Sequence, residues 1–335
     1  MLAASRSLSV FTRALSARVL YAFAKGPLAP GELEEALGWA PQSSLRAAVA
    51  NLTELGALAQ GGTAGGRSHG APLELTEAGR ELLPVAAALE RWLGHSPGGP
   101  ISLEDPAAQG IVRVLTAGWD STLVRALAER PRSLIELSSE ISELNYPKLK
   151  RRLAKLRSTH LVTPVETPAG RAYEVSEWLR RAVVPLALAG GWELRHHVGQ
   201  PIARTEVEAA FMLALPLIHL TEKVGGACAL AVLTASEEGE SPERDVAGVA
   251  IEVERGEIVA CRAGAAGDQP TWVLGGVSAW LDALVDGRTE ALRVSGAKPP
   301  LALAVVKALH VDLFRPYRAD AGELSAQAKP TKASK

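Results

Sequence analysis

The sequence predicts an α+β protein, and three observations carry that expectation. One stretch of chain recurs at a fixed offset with apolar residues at helical spacing, each copy contains a short run with strand-like alternation, and the last third turns to alternating strands. At 335 residues the chain exceeds one ordinary domain, so two or three units of about 100–150 residues are expected. Apolar residues at 47% and charged residues at 22% are typical of a packed globular chain and argue against wholesale disorder.

The repeat sets the architecture. At an offset of 104, Leu20 aligns with Val124, Pro27 with Pro131, Leu33 with Leu137, Leu45 with Leu149, and Leu52 with Leu156. Beyond residue 60 the offset falls to 100, pairing Glu74-Leu75-Thr76-Glu77 with Glu174-Val175-Ser176-Glu177 and Trp92 with Trp192. The shortening falls in a loop, glycine-rich at 61–70 in the first copy and marked by Pro168 and Gly170 in the second. In the second copy the pattern reads as helices over 123–128, 134–141 and 146–159, a hairpin over 161–175, and a last helix over 178–192. A helix-turn-helix carrying a β-wing is the simplest fold with that order.

Two segments give the repeat a family likeness. The first copy, with Leu45-Arg-Ala-Ala-Val-Ala-Asn-Leu-Thr-Glu-Leu-Gly56 and Leu75-Thr-Glu-Ala-Gly-Arg-Glu-Leu-Leu-Pro84, resembles the HxlR family of bacterial winged-helix regulators. The second resembles it through Leu149-Lys-Arg-Arg-Leu-Ala-Lys-Leu156 and Tyr173-Glu-Val-Ser-Glu-Trp-Leu-Arg180, but has Trp178-Leu179 where the first has Ala78-Gly79. Together the copies span about 18–195. The resemblance implies two tandem winged helices, at 1–100 and 110–198, that bind double-stranded DNA and regulate transcription. No cysteine lies near the N-terminus, so the electrophile sensing of some relatives is not implied.

Charge separates the copies. Residues 119–200 hold 13 Lys and Arg against 9 Asp and Glu, whereas residues 1–118 hold 9 against 10 and residues 201–335 hold 14 against 18. A local basic surface inside a chain of net charge −1 points to a polyanion-binding face. Between 145 and 160 the second copy carries Lys148, Lys150, Arg151, Arg152, Lys155 and Arg157 with no acid. At 100° per residue, Leu149, Leu153 and Leu156 define a core side; Arg151 lies nearly opposite with Lys148 and Lys155 beside it, and the other three suit phosphates. Asn145 and Tyr146, at the helix start, are placed for base edges, and Arg171 belongs to the wing. In the first copy Gln42, Ser43, Ser44 and Arg46 are candidate base readers through mostly neutral contacts, and Arg67 and His69 would take its wing to the minor groove. A solvated charged face is the competing reading of the cluster, but six bases without an acid form no i,i+4 ion pairs within that helix. The first copy reads equally as a packing module.

The third unit, 203–318, alternates apolar and small or acidic residues. Val249, Ile251 and Val253 fill one face of an expected antiparallel sheet, Arg255-Gly256-Glu257 makes a tight turn, and 300–314 closes the unit as an apolar helix. Trp272-Val-Leu-Gly-Gly-Val-Ser-Ala-Trp280-Leu-Asp-Ala-Leu284 followed by Gly296-Ala-Lys-Pro-Pro-Leu-Ala-Leu303 looks like a sterol-carrier-protein-type domain. That resemblance implies a hydrophobic or lipid-like effector lined by Val249, Ile251, Val253, Trp272, Trp280 and Leu284. Plain core is the competing reading of those six. The polar segment 319–335 reads as a solvated tail.

Other classes find little support. No apolar run of about 18 residues is present to span a membrane. Two cysteines, Cys228 and Cys261, make no disulfide framework and no zinc set, although one bridge between them is chemically conceivable; a reducing cytoplasm is expected. Neither a nucleophile elbow nor a phosphate loop occurs, so no catalysis and no cofactor are expected. His196-His197 reads as a helix-end feature. The expectation is therefore a cytoplasmic, homodimeric DNA-binding regulator. A protein-interaction scaffold and a lipid carrier stand as alternatives.

Overall fold

The computed structural model describes residues 6–317 except 14, 39, 62–70, 117–118, 142–143, 197, 199–201, 236–243 and 265–268. Arg67, His69, His197 and the tail lie outside the described residues. The molecule is mixed α+β.

In the first copy, α1 (Arg6–Ser9) and a 3-10 turn (Val10–Thr12) lead to α2 (Ser16–Ala24), α3 (Pro30–Leu37) and α4 (Gln42–Glu54). Strands β1 (Leu58–Gln60) and β2 (Leu73–Leu75) then form a hairpin before the long α5 (Glu77–Gly94). The second copy runs α6 (Pro106–Thr116), α7 (Trp119–Glu129), α8 (Leu134–Glu140), α9 (Tyr146–Ser158), β3 (Val162–Thr167), β4 (Gly170–Val175), α10 (Glu177–Arg181) and α11 (Val183–Arg195). Helices α4 and α9 begin and end 104 residues apart. The hairpins keep the same register, Leu58 opposite Leu75 and Val162 opposite Val175. Each hairpin also takes one bridging residue from the loop before the short helix, Leu28 to Leu73 and Arg132 to Tyr173.

Local chemistry explains the matching boundaries. The Thr76 and Ser176 hydroxyls accept the backbone N–H of Gly79 and Leu179 at 3.0 and 3.1 Å, so both last helices start on equivalent N-caps. Apolar residues one and two turns apart fix the facing of α4, through Leu45, Ala48 and Leu52, and of α9, through Leu149, Leu153 and Leu156. The copies differ after the cap. A Cβ at Gly79 would stand 2.1 Å from the Ala57 carbonyl oxygen, so only glycine fits there. The second copy has a buried Leu179 instead, and its last helix is divided at Ala182 into α10 and α11 rather than running unbroken over 178–192.

The two copies pack through α5 against α11 and through α1 with its 3-10 turn against α6. Their seam is reciprocal. The Trp92 indole N–H donates to the Trp178 carbonyl at 2.7 Å, and the equivalent Trp192 donates to the carbonyl of Ala78, the equivalent of residue 178, at 2.8 Å. Residue i of one copy thus meets residue j of the other while j meets i, the signature of a two-fold interface, here formed inside one chain. Trp178 breaks the symmetry by stacking on Trp92, with centroids 4.8 Å apart, and donating to the Trp92 carbonyl at 2.8 Å.

The third unit opens with α12 (Arg204–Ala214) and a 3-10 turn (Leu215–Leu217). Strands β5 (Gly226–Ala235), β6 (Arg244–Glu254), β7 (Glu257–Ala263), β8 (Thr271–Gly276) and β9 (Arg293–Gly296) form one sheet in the order β7-β6-β5-β8-β9. Its central pair, β5 with β8, is parallel, so the sheet is mixed and not purely antiparallel as expected. Parallel neighbours need a crossover, and here the chain returns across the sheet between β7 and β8. Arg255 and Gly256 both have positive φ, 50° and 82°, as a tight hairpin turn requires. Between β8 and β9 lie α13 (Val277–Leu281) and a π-helical turn (Asp282–Asp286); α14 (Pro299–Ala308) and a second π-helical turn (Leu309–Phe314) close the unit.

Candidate functional site

The basic helix α9 presents its cations outward because its three leucines seat inward. Lys148, Lys150, Arg151, Lys155 and Arg157 are exposed and Arg152 is half-buried. Among the described residues, the side chains of Lys148, Lys150, Arg151 and Arg157 have no hydrogen-bond or ion-pair partner. Tyr146, at the first turn, is 49% exposed. Asn145 is committed elsewhere: its Oδ1 accepts the Lys148 backbone N–H at 3.1 Å, so it caps the helix. Arg171 is exposed near the tip of the β3–β4 hairpin and stands across from Glu166.

The two acids of the neighbouring α8 are occupied. Glu136 on α8 accepts from the Ser133 backbone N–H at 2.7 Å and from Arg130 at 2.8 Å, which together hold its carboxyl down to about 2. Glu140 pairs with the mostly buried Arg132, which also holds Glu129. These arginines stand where the first copy has Gly26 and Leu28. Sequence reading found the basic helix but missed this arrangement; the signal available was Arg130-Pro-Arg132 ahead of two glutamates spaced four apart.

In the first copy α3 presents Glu32, Glu34 and Glu35, all exposed, beside α4. Glu34 accepts from the Gln42 side chain at 2.9 Å, which occupies one of the candidate base readers. Ser43 and Arg46 are exposed and Ser44 is half-buried. With four acids on α3 and α4 against Arg46 alone, that surface repels a polyanion.

The six candidate effector-lining residues divide between two faces of the C-terminal sheet. Val249, Ile251 and Val253 sit on the face covered by α12 and α14 and are 0–2% exposed. Trp272 pairs with Ala229, not Leu230, and strand alternation turns it to the opposite face, half-buried. Trp280 and Leu284 meet at a small apolar cavity of about 60 Å³ shared with Phe211 and Val232, where Trp280 donates to the Ala231 carbonyl at 2.9 Å. A cavity of that size admits a few waters, whereas drug-sized ligands occupy about 300–1,000 Å³.

Cys228 and Cys261 are both free and lie in one row of the sheet, each opposite or next to Ile251, with β6 between them. Burial pushes each thiol up to about 12, so neither is a poised thiolate. His196 is tied to Glu81 of α5 at 3.2 Å and packs on Trp192, so it belongs to the seam between the copies. Among the described residues no group of three His, Cys, Asp or Glu could hold a metal ion, and no helix is long and apolar enough to cross a membrane.

Against known proteins, the chain matches no family model and no curated protein.

Proposed function

We propose that this protein is a DNA-binding transcriptional regulator in which the two copies are tandem winged helix-turn-helix modules and the C-terminal unit, sterol-carrier-like in its order of elements, exerts control. The observation that carries the reading is the surface of α9: exposed cations without acids among them, over an α8 whose glutamates are already paired with arginines. A helix presented this way ahead of a hairpin fits the major groove, with the hairpin reaching the adjacent backbone.

The internal two-fold seam bears on how DNA is met. One chain already carries the paired modules that regulators of this kind obtain by dimerisation, so a homodimer would add a second pair rather than complete the first. Because the copies differ in charge, the favoured target is non-palindromic and held chiefly by the second copy. Control by a small molecule requires that it favour one arrangement of the modules over another.

Binding to mixed-sequence duplex, followed by anisotropy over a range of salt, tests the reading. An affinity that falls steeply and linearly on a log–log plot is expected, with a slope of about −0.9 per phosphate contact. Absence of duplex binding even at low salt would remove it and leave the scaffold alternative.

A further inference from the structure

The five-stranded sheet has two unlike faces. Helices α12, α13 and α14 pack against the one that holds Val249 and Ile251. The register turns Ala227, Ala229, Ala231 and Leu233 of β5 to the other, together with the residues paired with them on β6 and β8. That second face is open at both ends. Glu252 and Arg262 pair on it at 3.2 Å and are both exposed, Val246 is exposed, and a Cβ at Gly276 would meet nothing within 4 Å.

A solvated sheet face ordinarily turns polar residues outward. This one does not. From Ala227 to Leu233 on β5, Val246 to Ala250 on β6 and Trp272 to Gly276 on β8, no residue turned to this face is polar. Glu252, Arg262 and Arg293 stand at its margins. An uncharged centre with an aromatic, inside a polar rim, is the distribution of a protein interface.

The side chains on this face are also graded in size. Across β5, Val246 stands level with Gly276, Gly248 with Leu274, and Ala250 with Trp272. A two-fold axis lying in the interface along β5 sets β6 of one copy over β8 of the other, so each of Val246, Leu274 and Trp272 meets a glycine or alanine. A two-fold across the strands stacks β8 on β8 instead and crowds Trp272 and Leu274 together. The sheet edges offer less. Strand β9 has four residues, and the pairing of β7 with β6 is interrupted by a bulge beside Glu252 and Val253, so neither edge extends the sheet well.

We infer that a second copy of this chain covers the open face, sheet on sheet, with the two-fold axis along β5. Strands about 4.8 Å apart, rising about 3.3 Å per residue, give the sheet a face of about 600 Å². Two such faces bury about 1,200 Å², at the lower end of the range for stable interfaces and above that of packing contacts. The inference stands apart from the DNA reading; joined to it, it supplies the contact that adds a second pair of modules.

Sedimentation equilibrium on the full chain tests it. A dimer is expected, and Ala231→Glu, which sets two carboxylates against each other near the axis, is expected to weaken it about 100-fold or more with circular dichroism unchanged. Val246→Lys and Gly276→Glu, at positions with open space around them, are each expected to weaken it less, and their equimolar mixture to recover mixed dimers through the new opposite charges facing across the interface. A monomer at every concentration, a dimer that Ala231→Glu leaves unchanged, or no gain on mixing would overturn the inference. A full chain that dimerises only once 319–335 is removed would assign the face to that segment and overturn it likewise.

Discussion

The two copies share boundaries, caps and hairpin register, yet they offer opposite surfaces where a nucleic acid would lie. Helix α9 carries Lys148, Lys150, Arg151 and Arg157 outward, while α4 has Arg46 beside the glutamates of α3. The scaffold needs only the inward residues, Leu45, Leu52, Leu149 and Leu156 among them, so the outward ones are free to diverge. What the comparison teaches is that a duplicated fold fixes position but not charge, and charge decides which copy meets a polyanion.

The largest expected effect comes from reversing that charge. Arg151→Glu is expected to weaken duplex binding by about 100-fold or more, since a lost phosphate or base contact of 1–3 kcal/mol is joined by repulsion. Arg46→Glu is expected to cost less than about fivefold, within the range of a rim charge. Equal losses in an anisotropy titration would erase the distinction between the copies.

The seam separates them next. Trp178→Ala removes the stack on Trp92 and one indole donor, and is expected to cost about 3–5 kcal/mol in urea unfolding. The first copy has Ala78 at that position, so the stack is a gain of the second alone. Trp192→Phe, which deletes the N–H bonded to Ala78 and keeps an aromatic body, is expected to cost about 1–2 kcal/mol. A larger loss from Trp192→Phe than from Trp178→Ala would invert the roles assigned to the two positions.

The smallest effect sits at the edge of the seam. Burial pushes the Glu81 carboxyl up, but hydrogen bonds from Arg195 and His196 outweigh it and leave it below its ordinary 4.5. A carboxylate held below its unfolded value contributes stability above that value and loses it as pH falls through the folded one. Glu81→Gln is therefore expected to lower stability near neutral pH by no more than about 1 kcal/mol, since both side chains are substantially exposed. The difference from wild type should shrink as the pH drops below 4.5, read from melting curves at matched salt. A difference that grows towards acid would contradict the pairing.

Much of the repeat was legible in the sequence because it is written in local signals. Apolar spacing, the Thr76 and Ser176 caps and the Pro168–Gly170 turn act within a few residues of themselves. The basic face of α9 was legible for the same reason. Non-local features were not. Nothing in the neighbourhood of Trp92 announces that it will stack on Trp178, 86 residues away. The Asn145 side chain read as a base reader because its capping bond depends on where the helix begins. The pleat set Trp272 against Ala229 and so apart from Val249, which residue type alone does not reveal. A cavity walled by α5, α11 and the two π-helical turns draws on segments far apart in the chain, and only the packed chain brings them together.

The salt dependence of duplex binding by wild type, Arg151→Ala and Arg46→Ala bears most directly on α9 as the nucleic-acid contact. Loss of Arg151 is expected to flatten the log–log slope by about one while loss of Arg46 leaves it unchanged. Identical slopes for all three proteins, or a flatter slope for Arg46→Ala alone, would contradict that assignment.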